Sequence, residues 1–411
     1  MEQFRNMNKL PIFLIILIFF LIIPVAASAR GNFTFKPKVS ASWQTDDNFY
    51  KAETSEREVR TLVIQPGFEL GYESPKSLVT LGYTLNSYNY SDQDPVPVGS
   101  QSAESEDYIG HTATFDMKTK PSDRLTIGLE NSYFKTRDPA NSDVFSNSVA
   151  RDKYYINRLT PLVYYDLGAK LSAGLRYRYT ETDYDLDTKE DSTEHRPMFD
   201  LVYNFNKTLS LDLEAQYWKR DYDLTTSDYT SSQTKIILRK QYKFFSLEAG
   251  AGYHNRDFDD PTLADFDVFT YRFGIIGQNP PAPEAMPRSN IAFIAESNLN
   301  DAGPGDSYYI ATRFTLKAGH IFVEKFPVNL SARFQNSDYE RLSGLTPTGT
   351  TVIRDDDLYT IEGSLGYIFN EWITFKVSGG YENRDSNLLG KDYDNSFVMF
   401  QLNFNYSLGK R

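Results

Sequence analysis

The residues of this chain best suited to proton transfer or metal binding are its four histidines, His111, His195, His254 and His320. Nucleophilic or metal chemistry needs them within a short motif, beside a serine or one helical turn apart. Here they are scattered over different strand-like segments, and none has such a neighbour. There is no cysteine, which removes thiolate metal sites, disulfides and a lipoprotein anchor together. No glycine-rich phosphate loop occurs; Gly250, Gly252, Gly379 and Gly380 fit strand positions where neighbours crowd. His254 is the one histidine to weigh for a lipid-modifying enzyme, against the ordinary alternative of a solvated side chain. The many loop aspartates have divalent-ion chemistry, but their ordinary reading is a solvated outer face. No catalytic residue, cofactor or metal site is therefore expected.

What does recur is an aromatic residue followed four positions later by aspartate. It reads W-Q-T-D-D from Trp43, Y-N-Y-S-D from Tyr88, F-K-T-R-D from Phe134 and Y-T-E-T-D from Tyr179. It continues as Y-W-K-R-D from Tyr217, Y-H-N-R-D from Tyr253, F-Q-N-S-D from Phe334 and Y-E-N-R-D from Tyr381. A degraded member, S-N-L-N-D from Ser297, completes nine cores spaced 36 to 47 residues apart. Repetition at such a period marks an array of similar units. The fullest form places Tyr253, Arg256 and Asp257 in one unit and Tyr381, Arg384 and Asp385 in another.

Between the cores the chain alternates with period two. Leu209, Leu211, Leu213, Ala215 and Tyr217 share one face, and Ser210, Asp212, Glu214 and Gln216 the other. Ile373, Phe375 and Val377 alternate likewise with Thr374, Lys376 and Ser378. That is the pattern of strands with one apolar face. A soluble sandwich turns such a face inward, whereas a transmembrane barrel turns it to lipid. Aromatics make up 15% of the chain, with 29 Tyr and 29 Phe, and they cluster near strand ends, where a barrel carries its interfacial girdles.

The ends agree with the membrane reading. Arg5 and Lys9 precede an apolar run from Leu10 to Val25, and Ala27-Ser28-Ala29 is a small-residue cleavage site. This predicts a secretory signal over 1–29, the alternative being an N-terminal membrane anchor, and a barrel over 30–411. Strand alternation starts at Phe33, which leaves no room for an N-terminal plug domain. The 43 basic residues against 55 acidic ones disfavour nucleic acid as a partner.

Short turns, such as Ser74-Pro75-Lys76, Asn206-Lys207 and Asn370-Glu371, alternate with long Asp- and Ser-rich loops. In outer-membrane barrels the short turns face the periplasm. Each core then marks the outer rim of one hairpin, its aromatic directed to lipid and its aspartate just above. Nine hairpins predict an all-β, antiparallel outer-membrane barrel of about eighteen strands, from 32–48 to 393–408, including 327–339 and 354–369. Its surroundings would be outer-membrane lipid and lipopolysaccharide, and its folding would use the barrel assembly machinery. Arg176, Arg178, Asp212, Glu214, Glu248, Arg272, Arg313, Lys317, Arg333 and Lys376 fall on the polar face and are the candidates to line the lumen. Their mixed charge suits a polar, largely neutral solute such as saccharide.

One periplasmic turn is long and proline-rich, "GQNPPAPEAMPRS" from Gly277. Pro280, Pro281, Ala282, Pro283 and Glu284 are the candidates for docking a partner there; the alternative is a stiff insertion.

The final hairpin, "YENRDSNLLGKDYDNSFVMFQLNFNYSLG", resembles the putative beta-barrel porin 2 family through its Tyr-x-x-Arg-Asp-Ser and Asp-Tyr elements and its alternating last strand. The resemblance implies an outer-membrane barrel of about eighteen strands. It also implies a neighbourhood of exopolysaccharide genes, with a periplasmic polysaccharide export protein as partner. The chain departs from the usual pattern at its end, where Leu408 stands in place of an aromatic assembly signal. Three function classes stay open: a polysaccharide export conduit, a passive porin for small sugars or ions, and a surface-structural or lipid-modifying barrel.

Overall fold

A computed structural model describes residues 31–138, 145–146, 151–279, 287–300 and 308–409. The predicted signal, 1–29, and the docking candidates Pro280 to Glu284 lie outside the described residues. Eighteen antiparallel strands form one sheet: β1 (Asn32–Asp46), β2 (Val59–Glu73), β3 (Ser77–Asp92), β4 (Tyr108–Ser122), β5 (Leu125–Thr136) and β6 (Tyr154–Asp166). The wall continues with β7 (Leu171–Tyr184), β8 (Ser192–Asn206), β9 (Leu209–Tyr222), β10 (Tyr229–Gln241), β11 (Phe245–Phe258) and β12 (Phe266–Asn279). It ends with β13 (Ser289–Leu299), β14 (Tyr309–Phe322), β15 (Phe326–Leu345), β16 (Thr351–Ile368), β17 (Ile373–Ser386) and β18 (Tyr393–Asn405).

Each strand pairs with its sequence neighbours, and β18 returns to β1 with Trp43 opposite Phe400 and Lys38 opposite Asn405. After a two-residue break, Leu408 pairs with Phe35 and extends the seam. The sheet is thereby closed and has no free edge.

Register fixes the faces, because directly opposed residues share a side. Phe375 faces Leu402, Leu402 faces Ala41, and Ala41 faces Ile64. The same apolar layer runs on through Leu201, Leu213 and Ile236. Its side chains are exposed in the isolated chain, Leu175 at 62% and Leu330 at 60%, as a lipid-facing belt requires. Short turns are held by side-chain caps: Asn206 Oδ1 accepts the Thr208 N–H at 2.9 Å, and Asn370 Oδ1 accepts that of Trp372 at 2.9 Å.

Six of the eight aromatic cores point outward: Trp43, Tyr179, Tyr217, Tyr253, Phe334 and Tyr381. Tyr88 and Phe134 do not. Tyr88 stands opposite Val63, on the face away from the outward Leu62, and stacks on Tyr108 with centroids 4.5 Å apart. Phe134 lines an interior cavity. The spacing of these two cores is one residue out of phase with the apolar face of their strands, so the aromatic lands on the inner wall. The Phe334 core also does not open into a long loop. β15 runs on to Leu345, and Ser343 to Leu345 pair with Thr351 to Ile353 beyond a break in register after Asp338. This hairpin projects past the rim because its loop is only a tight turn, with Gly349 at φ 82°.

Candidate functional site: the lumen

Alternation that sends apolar residues to lipid sends every second side chain inward, and these inner side chains form a wall of ion pairs. Arg176 on β7 grips Asp200 on β8 with two bonds of 2.8 Å. Arg239 on β10 contacts Asp212, lies 3.5 Å from Glu214 on β9 and donates to Glu248 on β11 at 3.0 Å. Arg272 on β12 bonds Glu248 and reaches Glu296 on β13 at 3.0 Å. Each arginine is held by at least one carboxylate, and these three arginines meet five carboxylates, Asp200, Asp212, Glu214, Glu248 and Glu296, so the belt is formally acidic.

The other lumen candidates occupy the same inner face. Arg178 lines a cavity of about 690 Å³. Arg313 on β14 donates to Gln335 on β15 at 2.9 and 2.6 Å. Arg333 donates to Thr360 at 3.1 Å and lies 3.7 Å from Glu382. Lys317 stands opposite Ser331 and Lys376 opposite Gln401, both one position out of step with the apolar face.

The lumen is not an empty tube. Phe145 belongs to the chain between β5 and β6, yet it is buried against Tyr309, Ala311 and Tyr339 of β14 and β15. In an eighteen-stranded ring that wall is nine strands away in either direction, so Phe145 sits across the barrel from its own hairpin. Its carbonyl accepts the Tyr309 hydroxyl at 2.7 Å and the Gln335 amide at 2.9 Å. The Arg313 guanidinium lies 4.3 Å from its ring centroid. Phe145 also lines the 690 Å³ cavity, which occupies the half of the lumen bounded by β3 to β13. No local pattern reveals this contact, since Phe145 is an isolated aromatic in a polar loop.

The rim motif divides by parity. Tyr253 and Tyr381 face outward, and Asp257 and Asp385 are exposed above them. Arg256 and Arg384 turn inward and are buried at 0% and 4% exposure. Arg256 lies 4.1 Å from the Tyr229 ring and Arg384 4.6 Å from that of Tyr393, each tyrosine being the first residue of a returning strand. Arg137 over Tyr108 at 5.3 Å and Arg220 over Tyr229 at 6.0 Å repeat the arrangement. The arginine before the aspartate thus clamps the outer mouth, with contacts worth roughly 0.5–2 kcal/mol each. The sequence carried that signal, Arg at the fourth place and Tyr opening an adjacent strand, before it for Arg137 and Arg256 and after it for Arg220 and Arg384.

His254 is neither solvated nor near lipid. It is buried in the inner wall, 4.9 Å from the Trp218 ring. Gly250 and Gly252 precede it on the inner face, and a Cβ at Gly252 would meet the Thr234 carbonyl at 2.3 Å. His111 contacts the Tyr83 hydroxyl at 2.8 Å and His320 that of Ser289 at 2.7 Å. Among the described residues no three His, Asp or Glu side chains gather as a metal site.

Two outer loops are joined by one carboxylate. Glu190, between β7 and β8, accepts the Thr226 N–H at 2.9 and 3.0 Å and the Thr225 hydroxyl at 2.8 Å, and also takes the Thr225 N–H. Burial pushes its pKa up, but the bonds from Thr226 and Thr225 outweigh that and hold it below the ordinary glutamate value. A depressed carboxyl stabilises the folded loops above the unfolded value of about 4.3 and loses that contribution as pH falls through its own lower value. Cleavage of the loops 185–191 and 223–228 by a nonspecific protease is expected to stay slow from pH 8 to 5. Glu190→Gln should raise it about tenfold at pH 7, on the scale of ~1.5 kcal/mol for a lost charged hydrogen bond. Equal cleavage of both proteins would mean that Glu190 does not clamp the two loops.

Comparison with curated proteins returns no match. Among solved structures the chain is similar to Acinetobacter baumannii OccAB4, at 11% identity and TM-score 0.46, covering 92% of this chain and 98% of that one. Pseudomonas aeruginosa OccK1 (OpdK) matches at 10% identity and TM-score 0.48, covering 92% and 99%. The FrpB iron transporter of Neisseria meningitidis matches at 10% and TM-score 0.47, covering 91% and 81%. Residues 244–406, from the end of β10 to the end of β18, match the family described as Putative beta-barrel porin 2. With its closed eighteen-stranded wall and lipid-facing belt, the chain is an outer-membrane β-barrel whose residues 244–406 match that porin family.

Proposed function

We propose that this barrel is a conduit for saccharide, and that it exports exopolysaccharide together with a periplasmic export protein. The observation that carries this reading is the lumen itself. Its wall offers closely spaced hydrogen-bonding groups whose arginines are all engaged by carboxylates, and Phe145 narrows it from across the barrel. Neutral polar chains suit such a wall, because a sugar exchanges water for hydrogen bonds without having to break ion pairs. A narrowed lumen also suits a conduit that opens when a partner delivers its cargo. The second reading, a passive channel for small solutes, draws on the 690 Å³ cavity, within the ~300–1,000 Å³ of small-molecule sites.

The partner's place would be the proline-rich turn after Asn279, whose ends are closed by pairing of Asn279 with Ser289. A stiff projection costs less entropy to dock than a floppy one. In planar bilayers the barrel alone is expected to show low, intermittent conductance; a large, steadily open pore would favour the passive channel. Replacing residues 279–287 by a short Asn-Gly hairpin should leave assembly and heat-modifiable migration intact while abolishing secretion of the polymer. Unchanged secretion, with no capture by crosslinkers at Ala282 or Glu284, would make the turn an insertion only.

A further inference from the structure

A second cavity, of about 280 Å³, opens on the inner wall at the periplasmic end, beside the strand that leads into the proline-rich turn. Its volume is close to the ~300 Å³ at which small-molecule sites begin. One register row runs through it across five strands. Asn204 of β8 stands opposite Ser210 of β9, which stands opposite Arg239 of β10. Arg239 faces Glu248 of β11, and Glu248 faces Gly274 of β12. The next row towards the turns continues through Gln241, Ser246 and Ile276.

Gly274 shapes this cavity by what it lacks. It has plain strand geometry, and a Cβ there would meet nothing nearer than the Glu248 Cβ at 3.7 Å. At Gly252 the same atom would strike a carbonyl, so glycine is required there and not at 274. The missing side chain leaves a notch. Ile294 stands opposite Gly274 and Ala292 opposite Ile276, all on the inner face, and Ile276 is 46% exposed. One side of the notch is therefore aliphatic. The other side is polar without a free charge inside, since Arg239 is already engaged by Asp212, Glu214 and Glu248. The Asn204 amide and the Ser210 hydroxyl enter no hydrogen bond among the described residues. Lys207 and Lys240 stand at the lip, where Lys240 donates to Thr208 at 2.9 Å.

We infer that this notch binds one neutral sugar ring, as the first subsite inside the periplasmic mouth. A pyranose carries hydroxyls around its edge and C–H groups on its faces, so it needs an apolar surface and a few placed polar groups together. Ile276 and Ile294 supply the first, and Asn204, Ser210 and Gln241 the second. The place fits a hand-over, because Ile276 lies three residues before Asn279, whose pairing with Ser289 closes the proline-rich turn. The inference deepens the proposed function by naming a site and a class of sugar, and it rests on that reading for the direction of travel alone.

The test uses the full barrel in detergent, where occupancy is read without conduction. Ser246 lines the cavity and its hydroxyl reaches only the Ile276 carbonyl, at 3.4 Å, so Ser246→Cys places a single thiol there in a chain without cysteine. Maltotriose is expected to slow the reaction of that thiol with a maleimide. Trigalacturonate and a polyethylene glycol of equal length should leave the rate unchanged. Adding Asn204→Ala with Ser210→Ala should weaken the protection about tenfold, the scale of one or two lost hydrogen bonds. Gly274→Leu should abolish it, and Gly274→Ala, whose methyl group has room, should keep most of it. Heat-modifiable migration checks that each variant is folded. Equal protection by polyethylene glycol, or protection that survives both Gly274→Leu and the double alanine variant, would overturn the site. Stronger protection by trigalacturonate would overturn the neutral class. Protection by maltotriose in a barrel that neither secretes polymer nor conducts sugar would support the site and count against the conduit. Full secretion with no protection would overturn the site and leave the conduit standing.

Discussion

Phe145→Ala is expected to open the lumen, raising the conductance of the barrel severalfold. The side chain loses its burial against Tyr309, Ala311 and Tyr339, about 1.5–3 kcal/mol for a phenylalanine. It also loses the Arg313 contact, roughly another 0.5–2 kcal/mol. The hydrogen bonds from Tyr309 and Gln335 reach its backbone carbonyl and remain in place, so the substitution weakens the attachment without removing it. A loss of ~3 kcal/mol corresponds to about a hundredfold rise in the detached population. Adding Gln335→Ala should raise it further, though Arg313 would then lose its own acceptor at 2.6 Å. The absence of native cysteine allows a check that does not depend on conduction. Ser337 is fully buried, and its hydroxyl accepts the same Gln335 amide at 3.1 Å. A Ser337→Cys thiol should react with a membrane-impermeant reagent about a hundred times faster in the Phe145→Ala background. Equal reaction rates and unchanged conductance would mean that Phe145 does not hold the lumen narrow.

Leu175→Arg should cost about 2–4 kcal/mol of stability in lipid, the depth-dependent penalty for a cation on the lipid face near the bilayer centre. Leu175 lies midway along β7, opposite Val163 and Phe199, and is 62% exposed on the apolar face. Its neighbour in sequence, Arg176, already carries a guanidinium, but on the inner wall with Asp200 as partner. Exchanging the two residues keeps composition and strand propensity and reverses only the facing, so it should be at least as damaging. Reversible denaturation in lipid vesicles measures both. A cost below ~0.5 kcal/mol for Leu175→Arg would place that face in water and leave the outer-membrane assignment without its physical basis.

Much of this was written in the chain. Alternation along β9 and β17 set which residues could face lipid, because a strand's side chains point to opposite faces with period two. The recurrence of aromatic-x-x-x-Asp counted the hairpins, because each hairpin must cross the same interface with the same anchors. Local pattern failed where phase mattered more than type. Tyr88 and Phe134 match the motif yet face inward, since a single-residue offset reverses every side chain of a strand.

Tertiary structure decided the rest. Arg176 and Arg178 are indistinguishable in sequence, and only the register of β8 gives one an aspartate and the other an arginine. Phe145 finds its partners on β14 and β15, more than 160 residues further along the chain. Closure of the ring brings that wall opposite the third hairpin. No periodicity along one strand encodes what lies across a barrel, because that distance is set by the number of strands and their closure, a property of the whole sheet.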